Sequence, residues 1–272
     1  MIPNGAKAAW SAGRAVVNGW LSIASPFVAE IMAAQGYDTL TIDLQHGFVG
    51  FEAAGAMLQA MRASGVTPMA RVPWLDPAAI MKALDAGALG VICPMIDNRG
   101  QTERLVSSMR YPPAGLRSFG PTRANVAYGA GYGAGADEAV MAFAMIETAE
   151  GFANVDAIAT TRGLDGLYIG PADLTLGLTG RKYPTGFDRE EPEMVEAIKH
   201  VLAAAKRAGI RAGLHCGSPD YAAKAVGWGF DLVTLANDVR LLQGAAHKSV
   251  ADVRKLLGQG GASAAPAAKG GY

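Results

Sequence analysis

Residues 141–175 read MAFAMIETAEGFANVDAIATTRGLDGLYIGPADLT. Two short apolar runs, Met141–Ile146 and Leu164–Ile169, flank a stretch with helical spacing, Phe152–Thr161. Neither run alternates polar with apolar residues, which is how a strand covered on both faces reads. Two such strands joined by a helix form a parallel β-α-β unit. Each strand also leads into an acidic residue, Glu147 after the first and Asp173 after the second.

The same unit recurs along the chain. Further strands are expected at Ala15–Ile23, Asp38–Asp43, Thr67–Val72, Leu89–Pro94, Arg211–His215 and Phe230–Leu235. Helices are expected at Pro26–Gln35, Phe51–Ser64, Pro77–Ala86, Gln101–Arg110, Glu191–Ala208, Pro219–Val226 and Asp238–Leu257. Ser25-Pro26, Asp76-Pro77 and Ser218-Pro219 mark helix starts, and Gly36, Gly65, Gly87 and Gly209 mark ends. Eight strands each followed by a helix in about 250 residues is the count for an α/β (β/α)8 TIM barrel; a doubly wound open sheet is the alternative. No boundary divides residues 1–257, so they form one domain. Residues 258–272, GQGGASAAPAAKGGY, read as a low-complexity tail. Residues 111–138 interrupt the pattern with a long loop, expected to be a functional lid or an interface segment.

Composition narrows the function. Lys plus Arg and Asp plus Glu are 24 each, a balance that argues against nucleic-acid or membrane-surface binding. There is no run of eighteen apolar residues and no signal-peptide core at the N-terminus, so a cytoplasmic enzyme is expected. Cys93 and Cys216 make no disulfide scaffold. Glycines 129, 131, 133 and 135 follow no strand, which removes them as a dinucleotide site. The nine lysines all fall in helices, loops or termini, Lys182 coming nearest to a strand end. A Schiff-base aldolase needs a buried strand-end lysine, so imine chemistry is not expected.

Polar residues gather at one end of the strands, where a barrel keeps its catalytic groups. They are Asp43, Gln45 and His46 on the second strand, Arg71 on the third, Glu147 on the fifth, Asp173 on the sixth and His215 on the seventh. Glu147 and Asp173 lie one β-α unit apart. Two carboxylates in an apolar mouth repel unless a cation sits between them, and an all-oxygen donor set suits Mg²⁺ or Mn²⁺. A metal-free acid–base pair is the other reading. Asp43, three residues before His46, would orient the imidazole as a general base; a histidine bonded to backbone in a turn is the plainer case. Arg71 needs an anionic partner, either a bound carboxylate or enolate, or a structural pair with Asp43 or Glu147. The turn Gly170-Pro171-Ala172-Asp173 exposes backbone N–H groups suited to a small carboxylate. His215 and Cys216 either line the second-substrate side or pack inertly, and Cys93 is expected in the core.

The segments IDLQHG (42–47), ARVPW (70–74), KALDAGALGVICPM (82–95), YPPAGLRSFGPTRA (111–124), MIETAEGFANVDAI (145–158) and GLDGLYIGPADLTLGLTG (163–180) resemble the metal-dependent class II pyruvate aldolases. That family includes 4-hydroxy-2-oxoheptanedioate aldolase, 2-dehydro-3-deoxyglucarate aldolase and macrophomate synthase. The resemblance spans residues 17 to 257 and implies cleavage of 4-hydroxy-2-oxo acids to pyruvate, or an analogue such as hydroxypyruvate, and an aldehyde. It implies Glu147 and Asp173 as ligands of Mg²⁺, Mn²⁺ or Co²⁺, and His46 as base with Asp43 as its partner. Arg71 would steady the enolate, the N–H groups of Ala172 and Asp173 would hold the carboxylate, and Asp85 would buttress His46 or Arg71. It further implies a hexamer, a trimer of dimers that exchange C-terminal helices. Gln45 replaces a glutamate common in the family and is closer to the macrophomate synthase pattern. Met145 replaces a frequent glutamine, and His215 stands where an aliphatic residue often meets the second substrate. An oxaloacetate decarboxylase on the same site and a non-catalytic keto-acid binding protein are the competing functions.

Overall fold

Ser25, Asp76 and Ser218 each accept a hydrogen bond from the first turn of the helix they precede, and each is followed by proline. Asn98 and Thr148 cap two further helices in the same way. These caps set the rhythm of a computed structural model that describes residues 2–259. The strands are β1 Val16–Leu21, β2 Thr39–Asp43, β3 Thr67–Arg71, β4 Gly90–Cys93, β5 Met141–Ile146, β6 Gly166–Ile169, β7 Arg211–His215 and β8 Leu232–Asn237. All neighbouring strands are parallel, and β1 pairs with β8 to close the barrel. The expected TIM barrel is therefore what the chain forms, and the open sheet is excluded.

The helices begin with α1 Gly5–Ser11, α2 Pro26–Ala33, α3 Phe51–Ala60, α4 Pro77–Asp85 and α5 Arg99–Met109. Then come α6 Thr122–Tyr128, α7 Tyr132–Ala139, α8 Ala149–Ala153, α9 Val155–Ala159 and α10 Pro171–Thr179. The last are α11 Pro192–Arg207, α12 Pro219–Trp228 and α13 Asp238–Leu256. Among the described residues no helix is long and apolar enough to cross a membrane.

Successive strand residues face opposite sides. One parity (Leu40, Ile42, Ala70, Val91, Cys93, Ala142, Ala144, Ile146, Leu214) joins the layer under the helices. The other (Val16, Trp20, Met69, Ile92, Met141, Phe143, Met145, Tyr168, Leu232) fills the interior. Large inward side chains fit because glycines stand beside them. A Cβ on Gly90 would come 2.8 Å from Met69 Cε, and one on Gly213 would come 2.8 Å from Tyr168 Cδ2.

Three segments differ from the expectation. Helix α1 packs Ala6, Ala9 and Trp10 into the interior cluster and plugs the strand-entry end, with Trp10 Nε1 donating to the Asp231 carbonyl. Residues 111–138 are not a structureless loop: most of their second half is α6 and α7. These helices join α5 to β5, so they lie at the strand-entry end, packed with Ile2 and Leu89. The lid reading is thus corrected, because an insertion before a strand cannot cover the strand exits. Gly133 and Gly135 lie within α7, which follows another helix and no strand. The turn at Gly170 proves to be a helix start, Gly170 being the N-cap and Pro171 the first residue of α10. Residues 260–272 of the expected tail lie outside the described residues.

Candidate active site at the strand exits

Inward parity carries Asp43, Arg71 and His215 to the last layer of the interior, and Glu147 follows Met145 by two residues on the same side. Asp43 and Arg71 are both 0% exposed and face each other across the β2–β3 pair. Arg71 Nε donates to Asp43 Oδ1 at 2.9 Å and Nη2 to Oδ2 at 2.7 Å, a two-point fork. Trp20 Nε1 donates to the same carboxylate at 3.2 Å, while its ring lies 4.9 Å from the guanidinium carbon. Burial alone would raise the Asp43 pKa, but the hydrogen bonds and charge of Arg71, with further donors, hold it below the usual value. Of the two partners expected for Arg71, the structure supplies Asp43. The link it shows between Asp43 and His46 is through the main chain, the amides of Gln45 and His46 donating to Oδ1. That bonding turns the chain so that His46 is exposed at the mouth.

Glu147 is 3% exposed and accepts the Met95 amide on Oε1 at 2.9 Å. Met95 has φ 55°, a left-handed conformation costly for a side-chain-bearing residue and common where function demands it. Gly170 lies against the same carboxylate: a Cβ there would come 2.6 Å from Glu147 Oε2 and 2.5 Å from Met145 Cε. Asp173, half-buried in the first turn of α10, bears on Glu147 by charge. Burial pushes the Glu147 carboxyl up to about 7; the Met95 amide pulls the other way, and Asp173 adds to the rise. Two carboxylates disposed to share a proton or a cation, beside a cradle that only glycine leaves open, fit a hard divalent ion. Among the described residues no group of three or more His, Cys, Asp or Glu is placed to hold a metal. The N–H groups of Ala172 and Asp173 are the second and third of α10, positions without partners inside the helix.

Other expected residues separate. Asp85 ends α4, and four residues later Leu89 bonds to the start of β3, so Asp85 lies at the strand-entry end. There it takes Arg117 at 2.6 Å, which corrects its expected support of His46 or Arg71 within one chain. A helix returning antiparallel to its strand carries its last residue away from the exits. Lys182 follows α10, is exposed and is paired with Glu193 at 2.7 Å. Met145 is fully buried in the interior, and Gln45 leaves its side-chain oxygen buried without a hydrogen-bond partner. Cys93 and Cys216 are both buried. His215 is 2% exposed, 4.8 Å from Trp20 edge-on and 4.3 Å from Phe187. Burial and the Arg71 charge push its imidazole down to about 3, so it is neutral. Sequence reasoning missed Trp20, Met95 and the buried polar set Asn18, Thr39, Thr41, Tyr168 and Thr234. The signal was present: Asn18 and Trp20 share the inward parity of β1.

Residues 17–245 match the family described as HpcH/HpaI aldolase/citrate lyase. The chain belongs to this family. A hydroxypyruvate/pyruvate aldolase from Rhizorhabdus wittichii is 44% identical over 253 residues, 93% of this chain and 100% of that one. A 5-keto-4-deoxy-D-glucarate aldolase from Citrobacter koseri is 32% identical over 91% of this chain and 95% of its own. The crystal structure of macrophomate synthase superposes with a TM-score of 0.82 at 27% identity, covering 95% of this chain and 90% of that one. This HpcH/HpaI chain is therefore an enzyme of the aldolase kind, and the non-catalytic reading falls away.

Proposed function

We propose that this aldolase splits 4-hydroxy-2-oxo acids between C3 and C4, releasing an aldehyde and pyruvate or hydroxypyruvate. The observation that carries this reading is the buried Glu147 carboxylate lying against Gly170 at the start of α10, whose first turn also carries Asp173. Glu147 and Asp173 would hold Mg²⁺ or Mn²⁺ (Co²⁺ suits the same donors), whose charge would stabilise the enolate as a Lewis acid. The N–H groups of Ala172 and Asp173 hold the substrate carboxylate. Arg71, fixed by Asp43, adds positive charge beside the developing enolate. His46 takes the C4 hydroxyl proton during cleavage, and with pyruvate alone it accepts the C3 proton. The chain assembles into a homo-oligomer, a hexamer by family likeness, through α13.

Deuterium exchange of the pyruvate methyl group, followed by NMR, tests this reading without knowledge of the aldehyde. Exchange with Mg²⁺ or Mn²⁺ that stops with EDTA is the expected result; no exchange with any divalent ion, for pyruvate or hydroxypyruvate, refutes it. Turnover of oxaloacetate with no aldehyde cleavage would assign the decarboxylase role instead.

A further inference from the structure

Asp238 is 3% exposed and belongs to no step described above. It opens α13, yet the cap of that helix is already made by Asn237, whose Oδ1 accepts the Arg240 amide at 2.9 Å. The Asp238 carboxylate turns instead to β1. Its Oδ1 accepts the Ser22 amide at 2.9 Å and its Oδ2 the Ile23 amide at 3.0 Å. Ser22 and Ile23 stand just past the end of β1, so the two bonds hold a segment that the sheet has released.

β1 lies between β8 and β2, and the same segment grips the chain on its far side. The Ser22 carbonyl accepts the Phe48 amide at 3.0 Å, and Ile23 pairs with Phe48 in an isolated parallel bridge. The register of β1 on β2 sets Leu21 beside Ile42, so Ile23 would face Leu44 if the ladder ran on. Phe48 stands there instead, and residues 44–47 leave the β1 side as a loop that carries His46. This loop has two anchors. At its start Asp43 Oδ1 accepts the Gln45 and His46 amides, and at its end Ser22 and Ile23 hold Phe48. Little slack lies between them, because a Cβ on Gly47 would collide with the Asp43 carbonyl.

We propose that Asp238 is a positioning residue for His46: by gripping Ser22 and Ile23 it fixes the closing end of the 44–47 loop, and with it the place of the imidazole at the mouth. The connection crosses three neighbouring strand exits, from β8 through β1 to β2. The inference rests on the reading of His46 as the base, which the test below separates from it.

Asp238→Asn keeps the shape of the side chain but turns an NH₂ group toward one of the two amides, donor against donor. In the full chain, methyl exchange of pyruvate with Mg²⁺ should slow about tenfold, a share of the roughly 10²–10⁴ that a placed base contributes. Mg²⁺ should still raise the melting temperature as it does in the wild type. In a His46→Ala background the same substitution should change the residual exchange by less than about twofold, an independence that a role in general stability would not produce. Equal costs in both backgrounds, or a lost Mg²⁺ response, overturn the proposal and leave His46 as the base. Methyl exchange at the wild-type rate in His46→Ala strikes the base reading itself, and the proposal with it. Where Asp238→Asn does not fold, hydrogen exchange of the wild-type backbone decides. As urea is raised, peptides holding Ser22, Ile23 and Phe48 should lose protection together; Phe48 opening while Ser22 and Ile23 stay protected overturns the proposal.

Discussion

Asp43 and Arg71 form a pair with no exposed surface, so neither charge has water to fall back on. Removing one partner strands the other, a loss of about 3–5 kcal/mol. Asp43→Asn should cost that much in urea unfolding, while Asp43→Asn with Arg71→Met should recover part of it. The pair also carries a pH signature. Because the folded Asp43 carboxyl sits below its ordinary value of 3.8, its contribution is complete above that pH. The contribution is lost as pH falls through the lower folded value. Urea midpoints measured from pH 6 down to pH 3 should therefore drop more steeply for the wild type than for Asp43→Asn; parallel curves would refute the assignment. Glu147 invites a different experiment. With Mg²⁺ at a hundredfold its Kd, a ligand that binds only the folded chain stabilises it by about 2.7 kcal/mol. Melting with and without EDTA should show that gain in the wild type and none in Glu147→Gln or Asp173→Asn. Equal gains in all three proteins would place the cation elsewhere.

At the scale of the element, α10 shows how a local rule becomes a site. Gly170 has φ −97° and ψ 91°, an extended N-cap open to any residue, so conformational freedom does not explain the glycine. Close approach does, because a methyl group would meet the Glu147 carboxylate. Gly170→Ala should keep the circular dichroism of the barrel but lower the melting temperature of the metal-free protein, since the methyl must displace the buried Met145 and Glu147 side chains. It should also weaken Mg²⁺ affinity at least tenfold by calorimetry, about 1.4 kcal/mol. Unchanged affinity would remove Gly170 from the site. The eight strands were legible because apolar runs and helix caps are local signals, and so were Asp43, Arg71, Glu147 and His215, which stand where those runs stop. Asp43 was among the partners the sequence offered Arg71, but the choice between it, Glu147 and a bound anion was not legible. Which groups Arg71 and Asp85 meet depends on register across neighbouring strands and on the direction in which a helix returns, and neither is written in local spacing. For the same reason residues 111–138 looked like a lid: their glycines and prolines hide α6 and α7, which gain stability by packing on Leu89 and Ile2 rather than from their own propensity.

At the scale of the whole molecule, α13 is the element the barrel does not account for. Of its nineteen residues only Asp238 is buried. Leu242, Val250, Val253 and Leu256 lie within one helical face, with exposures of 62%, 48%, 49% and 85%. An apolar stripe of this kind normally packs on something, and the rest of the described chain does not cover it. A second copy meets the need, since a C2 interface presents the same stripe from both sides. Light scattering after gel filtration should give a multiple of the 28.1 kDa chain mass, with six copies expected. Leu242→Asp combined with Val253→Asp should lower the assembly state without unfolding the barrel, because both side chains stand clear of its core. A wild-type monomer at micromolar concentration, or an assembly indifferent to the double substitution, would leave α13 without this role.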